Sequence, residues 1–147
     1  MICSVSATDS KAKTTRKIYG SIYVTTRGNG AYRFSGVTVI LLPRQIAHNF
    51  INAAIAKLQG RRDEFSIYKA WSELLVDMVR HGEMTTSDGD GHFEFTVPKA
   101  DGLFPYYVFA SATRLIGDQT EYDTWMAGVR IEGPTNLSES NFWFPPT

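Results

Sequence analysis

A glycine-rich acidic turn that runs straight into an alternating strand constrains this chain more than any other feature. Thr85-Thr86-Ser87-Asp88-Gly89-Asp90-Gly91 leads into His92-Phe93-Glu94-Phe95-Thr96-Val97-Pro98. Phe93, Phe95 and Val97 recur at period two, the spacing of a strand with one face buried and one face wet. The Asp-Gly steps supply residues that accept positive φ, as a tight reversal requires. A chain carrying this unit must build a sheet, and the sheet needs a second layer to cover those three side chains.

The neighbouring segments fill in that sheet. Lys17–Thr26 (KIYGSIYVTT) is rich in β-branched and aromatic residues and reads as a first strand, with Gly20 marking a bulge or a close backbone approach. Arg27-Gly28-Asn29-Gly30 is a turn. A second strand is expected at Val37–Leu42, where the unbroken apolar run VTVILL suits a strand covered on both faces. From Arg44 to Arg80 the period lengthens. Ile46, Phe50, Ala54 and Leu58 recur every four residues, Gly60 is a helix stop, and Asp63 can cap a second helix through Ile67, Trp71, Leu74 and Met78 that ends near His81-Gly82. The apolar stripe of this helical hairpin is expected to pack on a sheet face.

Further on, Pro105–Thr113 and Thr124–Ile131 are strand-like, with Gly117-Asp118-Gln119 as a turn or loop between them, and a last short strand is expected around Asn136–Phe144. These spacings predict a mainly β protein, a Greek-key antiparallel β-sandwich with an inserted two-helix hairpin. The expected organisation is a flexible tail over residues 1–16 and one sandwich domain over 17–147, with the helical insertion at about 44–81.

The order of motifs adds a resemblance. Gly20 with Ile22 comes first, then Gly36-Val37-x-Val39-x-Leu41, then Thr86-x-Asp88-x-x-Gly91-x-Phe93-x-Phe95-x-Val97, then Tyr107-Val108-Phe109-Ala110. This resembles the carboxypeptidase regulatory-like and transthyretin-like β-sandwich superfamily, over roughly residues 17–113. The resemblance implies a transthyretin-like or immunoglobulin-like body, and an accessory or adhesive module, commonly exported in bacteria, that binds or spaces. Its matched positions are turn glycines and core residues, so it carries over no catalytic residues. The helical insertion departs from the compact pattern of that superfamily. Its transthyretin-like branch also contains hydrolases ending in Tyr-Arg-Gly-Ser. This chain ends Phe142-Trp143-Phe144-Pro145-Pro146-Thr147, which speaks against that activity.

Composition narrows the partners. Fifteen basic and fifteen acidic residues balance, so no global field recruits nucleic acid or an acidic membrane surface. No run of about 18 apolar residues is present, so no membrane span is expected. Cys3 is the single cysteine, which excludes an internal disulfide and a cysteine-based metal cluster. It lies in a polar stretch that reads as a plain tail, the alternative being a lipid-attachment point behind a removed export signal. No Gly-x-Ser-x-Gly elbow, phosphate loop or dinucleotide fingerprint appears, and no cofactor is expected.

Three groups of residues could carry chemistry. Asp88-Gly89-Asp90-Gly91 begins like a calcium loop, but the twelfth position, where an acid should close the site, is Lys99. A turn is the simpler account, with Asp88 and Asp90 as the weak metal alternative. His48, His81 and His92 show no zinc-pair spacing. A hydrolase would need two of them to converge, or one of them to meet Asp118 or Asp123. Aromatic residues crowd the last third, and Tyr122, Trp125 and Trp143 are the candidates to stack on a sugar or anchor an interface, although core packing explains most such rings. The expected function is a non-catalytic, extracytoplasmic binding or spacer module, periplasmic or at the cell surface, whose ligand is a protein or a glycan. The alternatives are a small hydrolase of transthyretin-like type and a structural subunit that forms a homo-oligomer through sheet edges or the helical stripe.

Overall fold

The computed structural model of the protein describes residues 15–28, 30–98, 106–130 and 132–147. Cys3, Lys99 and Ile131, together with most of the expected tail, lie outside the described residues. Strands β1 (Thr15–Ser21), β2 (Tyr23–Thr25), β3 (Ala31–Arg33) and β4 (Thr38–Pro43) precede helices α1 (Arg44–Leu58) and α2 (Glu64–His81). Strands β5 (Glu83–Thr86), β6 (His92–Pro98), β7 (Tyr106–Ile116) and β8 (Gln119–Gly128) follow. The protein is mainly β, a sandwich of antiparallel sheets with two helices inserted between β4 and β5.

One layer is a sheet in the order β5-β4-β7-β8, with every neighbour antiparallel. Its central strands are covered twice, which accounts for the unbroken apolar run in β4. Val39 and Leu41 face a core shared with the second layer, while Ile40 and Leu42 face the helices. The second layer is built around β1 and β2, which form one extended path bent at Ile22. Before the bend the path pairs with β6, and after it with β3. At the bend Ile22 donates to Gly91 O at 2.9 Å and accepts from Phe34 N at 3.0 Å. Its other edge is taken by residues 135–137, where Thr135 N and Leu137 N donate to Tyr19 O and Ser21 O, both at 2.8 Å. In β6 the expected alternation holds: Phe93, Phe95 and Val97 are buried while His92, Glu94 and Thr96 are exposed.

The helices begin and end where their chemistry requires. Asp63 Oδ2 accepts from Ser66 N at 3.0 Å, and hydrogen bonding from Ser66, its side chain first and then this backbone N–H, holds the carboxyl below the usual carboxylate range. At the end of α1, Gln59 and Gly60 turn through positive φ (49° and 88°), and Arg61 Nε caps the Leu58 carbonyl at 3.1 Å. Ala47, Ala54, Leu58, Ile67, Trp71, Leu74 and Met78 point from the two helices into a second core against Ile40, Leu42 and Phe109. Burying each large side chain contributes roughly 1.5–3 kcal/mol.

Three expectations are corrected. Residues 136–144 do not form a strand: they make a 3-10 turn at Glu139–Asn141 and two isolated bridges, Ile22 to Leu137 and Trp125 to Phe142. Ser138 and Asn141 bond reciprocally across that turn, a local closure that competes with extended pairing. β7 and β8 run on through residues 114–116 and 119–123, closing around Gly117 at φ +64°, so the loop between them is tighter than expected. β1 also starts two residues before Lys17, at Thr15. Strands β3 and β5 are short, largely exposed and without alternation, and the sequence pattern does not reveal them.

Candidate functional site

A trough of about 820 Å³ opens on the second layer. The strand period builds it. With Phe93, Phe95 and Ile18 turned inward, the intervening residues Tyr19, His92 and Glu94 must turn outward, and register pairs Tyr19 with Glu94 and Ser21 with His92. Pro134 and Asn136 wall the trough beside β1, and Thr85, Thr86 and Asp88 wall it beside β6. Tyr19 leaves 45% of its surface open to solvent. Asn136 is fixed by accepting from Ser21 N through Oδ1 at 3.1 Å, and Glu94 pairs with Lys17 at 3.0 Å.

The Asp-Gly-Asp-Gly turn closes one end. Asp88 Oδ1 accepts from the backbone N–H of His92 and of Asp90, both at 2.9 Å, and these two bonds hold its carboxyl below the usual range. Gly91 sits at φ +79°, and a side chain there would meet Ile22 O at 2.8 Å, so only glycine lets the turn lie against the bend of the first strand. Buried Ser87 ties the turn to the β3–β4 loop. Its Oγ donates to Phe34 O at 2.7 Å and accepts from Val37 N at 2.9 Å. Asp88, Asp90 and His92 offer ligand atoms within 4.8 Å of one another, all exposed. Calcium asks for six to eight oxygens. The bonds to Asp88 are those of a turn, and they account for the motif.

The three histidines stay apart. His48 Nε2 meets Tyr107 OH at 3.3 Å, His81 Nδ1 donates to Asp77 O at 2.8 Å, and His92 Nδ1 stands 3.9 Å from Asp88 Oδ2. Asp118 lies exposed in the β7–β8 turn, away from these contacts.

The three candidate aromatic residues divide. Trp125 is fully buried in the core between the sheets, 5.1 Å from the Phe34 ring, so the expectation that it meets a ligand is corrected: a strand position turned toward the second layer leaves no open ring face. Tyr122 and Trp143 are half-buried and come together at a second, much smaller cleft of about 20 Å³ between α2, β8 and residues 142–144. Tyr122 lies 5.1 Å from Phe65 and 5.2 Å from Tyr68, and Trp143 lies 5.2 Å from Trp71. Exposed Tyr19, which carries the trough, gives no sequence signal beyond its place in an alternating strand.

Asp123 also lines the small cleft. Its residue is 3% exposed, and burial first, then the Glu121 and Glu64 carboxylates, push its carboxyl up to about 7 against the opposing pull of Arg114. Arg114 is already committed to Glu121, at 3.1 and 3.2 Å. Because the folded-state value lies above the unfolded one, the stability from this group is complete below about 4 and is lost as pH rises through about 7. Between pH 5 and 8 the protein is expected to lose about 2–3 kcal/mol that Asp123→Asn does not lose. Denaturant titrations of both proteins at the two pH values check this, and parallel pH profiles would refute it.

No protein-family model matches the chain, and no curated protein matches it. Among solved structures, it is similar to the crystal structure of a "putative carbohydrate binding protein" from Pseudomonas aeruginosa. The match has 19% identity and a TM-score of 0.48, and it covers 88% of this chain and 94% of that one.

Proposed function

We propose that this protein is a non-catalytic binding module whose ligand is a glycan, held in the trough across β1 and β6. The observation that carries this reading is the trough's lining. One open aromatic ring, Tyr19, stands among the polar side chains of Thr85, Thr86 and Asn136 and the carboxylates of Asp88 and Glu94. A sugar presents the complementary surface, with an apolar ring face for Tyr19 and a belt of hydroxyls that both donate and accept. Asp88 serves as an acceptor there. Its own backbone bonds keep it ionised and hold it in place, which suits recognition better than proton transfer. The motif resemblance to carboxypeptidase regulatory-like and transthyretin-like modules agrees with a binding role and with a place outside the cytoplasm.

A glycan array followed by calorimetry on the best hit tests the reading. Tyr19→Ala is expected to weaken binding about tenfold, the effect of removing a contact worth about 1.4 kcal/mol. Asp88→Asn is expected to weaken it further by loosening the turn. A silent array, an affinity indifferent to Tyr19, or turnover of an ester or amide by the wild-type protein would each overturn it.

A further inference from the structure

We propose that a hollow beside the trough continues it into one groove, and that this groove takes a linear oligosaccharide whose far end carries a uronate carboxylate. The inference rests on the reading of the trough as a glycan site and names the class of glycan. The hollow holds about 320 Å³ and opens between the end of β8 and residues 134–141. Pro134 and Asn136 wall both depressions, so the two are neighbours. Asn136 joins them. Its Oδ1 accepts from Ser21 N at 3.1 Å, which ties the carboxamide to β1, and no bond among the described residues uses the two N–H donors of its Nδ2.

The strand period gives the groove a ring at each end. Ile18, Gly20, Ile22 and Val24 are buried, so Tyr19, Ser21 and Tyr23 turn to the opposite side of the same path. Tyr19 lines the trough, and Tyr23, half-buried, lines the hollow. Four steps of extended chain carry the two up to about 14 Å apart, a span for several sugar units rather than one. Charge then sets the polarity. Asp88 and Glu94 line the trough, whereas no carboxylate of a described residue lines the hollow. Arg130 lines the hollow instead, exposed, with no partner for its guanidinium among the described residues. Arg16 brings a second cation beside it, donating to Arg130 O at 2.7 Å. Glu139 of the 3-10 turn is bound to Thr25 N, and neither it nor Glu132 lines the hollow. A guanidinium holds a carboxylate through two parallel N–H bonds, and the trough's own carboxylates repel one, so an acidic sugar is directed to the hollow. Ser138 Oγ and Ser140 Oγ, 3.1 Å apart, can each donate or accept, which matches the hydroxyls of the same sugar.

The test is an NMR titration of the labelled protein with di- and tetrasaccharides of hyaluronan, unsulfated chondroitin and heparosan, in which uronates alternate with neutral sugars, and with their methyl esters. Two sets of amides are read: Tyr19–Ser21 with His92–Glu94 for the trough, and Tyr23 with Ser138–Asn141 for the hollow. With at least one of the three backbones, the tetrasaccharide is expected to shift both sets and to bind about tenfold tighter than the disaccharide. Its methyl ester is expected to bind about tenfold more weakly than the acid. Tyr23→Ala should erase the gain with length. Arg130→Gln, a change at an exposed side chain, should erase the difference between acid and ester while the fold stays intact. Three results would each overturn the groove and leave the trough reading in place, provided that array glycans still bind through Tyr19. They are tetrasaccharides that never shift the hollow amides, acid and ester of equal affinity, and an acid preference that survives Arg130→Gln. Silence of the array and of these acidic chains together would overturn both readings.

Discussion

Trp71→Ala is expected to cost about 3–5 kcal/mol of stability, among the largest effects of any single truncation in this protein. The Trp71 ring is fully buried, 5.0 Å from Phe109 of β7 and 5.2 Å from Trp143 of the C-terminal segment. It therefore joins α2, the central sheet and the chain end at one point, and alanine would leave a cavity that three elements would have to collapse together to fill. The loss should be partly recoverable. Trp71 Nε1 is buried without a hydrogen-bond partner, so Trp71→Phe removes an unpaired donor along with some volume and is expected to cost less than half as much. Denaturant unfolding of the three proteins measures both steps. A loss below about 1 kcal/mol for alanine would show that the helical layer is not held through this ring. Glycan affinity per folded molecule should not change, because the trough lies on the layer away from the helices.

Gly20→Ala is expected to cost about 3 kcal/mol or more and to abolish glycan binding. A Cβ at Gly20 would stand 1.9 Å from Thr135 O and 2.6 Å from Thr135 C. Both are main-chain atoms, so no rotamer change relieves the clash. Residues 135–137 would have to leave β1, giving up the hydrogen bonds from Thr135 N and Leu137 N. Leu137, fully buried, would come out with them, and Asn136 would lose its anchor on Ser21. One methyl group thus strikes both the core and a wall of the trough. A melting temperature within a few degrees of wild type, with unchanged affinity, would contradict the packing of this segment.

Much of the architecture can be read from residue periods, because those periods record burial. Phe93, Phe95 and Val97 announce a one-sided strand, VTVILL announces a strand between two layers, and the four-residue recurrence from Ile46 to Leu58 announces a helix that covers one of them. Asp63 marks its helix start because a capping carboxylate has a local job. What pattern cannot carry is pairing by exposed residues. β3 has no buried side chain, and β5 is an edge with Met84 exposed, so neither leaves an apolar signature. Residues 136–144 look extended by composition, yet the Ser138–Asn141 exchange and the bridges to Ile22 and Trp125 fold them differently. The sites were harder still to foresee. Tyr19 and Glu94 look like ordinary solvent-facing positions until register sets them side by side. Asp123 takes its character from burial first, then from Glu121 two residues before it, and then from Glu64, 59 positions away in the chain. Of the three rings singled out by their crowding, the one at the centre of a covered strand became core, and the two near an edge met at a cleft.

The kink at Ile22 also sets where the gene can accept change. A single stretch from Thr15 to Thr25 is laced to β6, to β3 and to the Thr135–Leu137 segment. Adding or deleting one codon there would throw three ladders out of step and turn every inward side chain to the wrong side. Among the described residues, the outer half of the β7–β8 ribbon shares its backbone ladder with no third strand, and Leu115 and Ile116 are open at its tip. Length variation and grafted loops therefore belong at that tip, and the first strand is the spine to leave untouched.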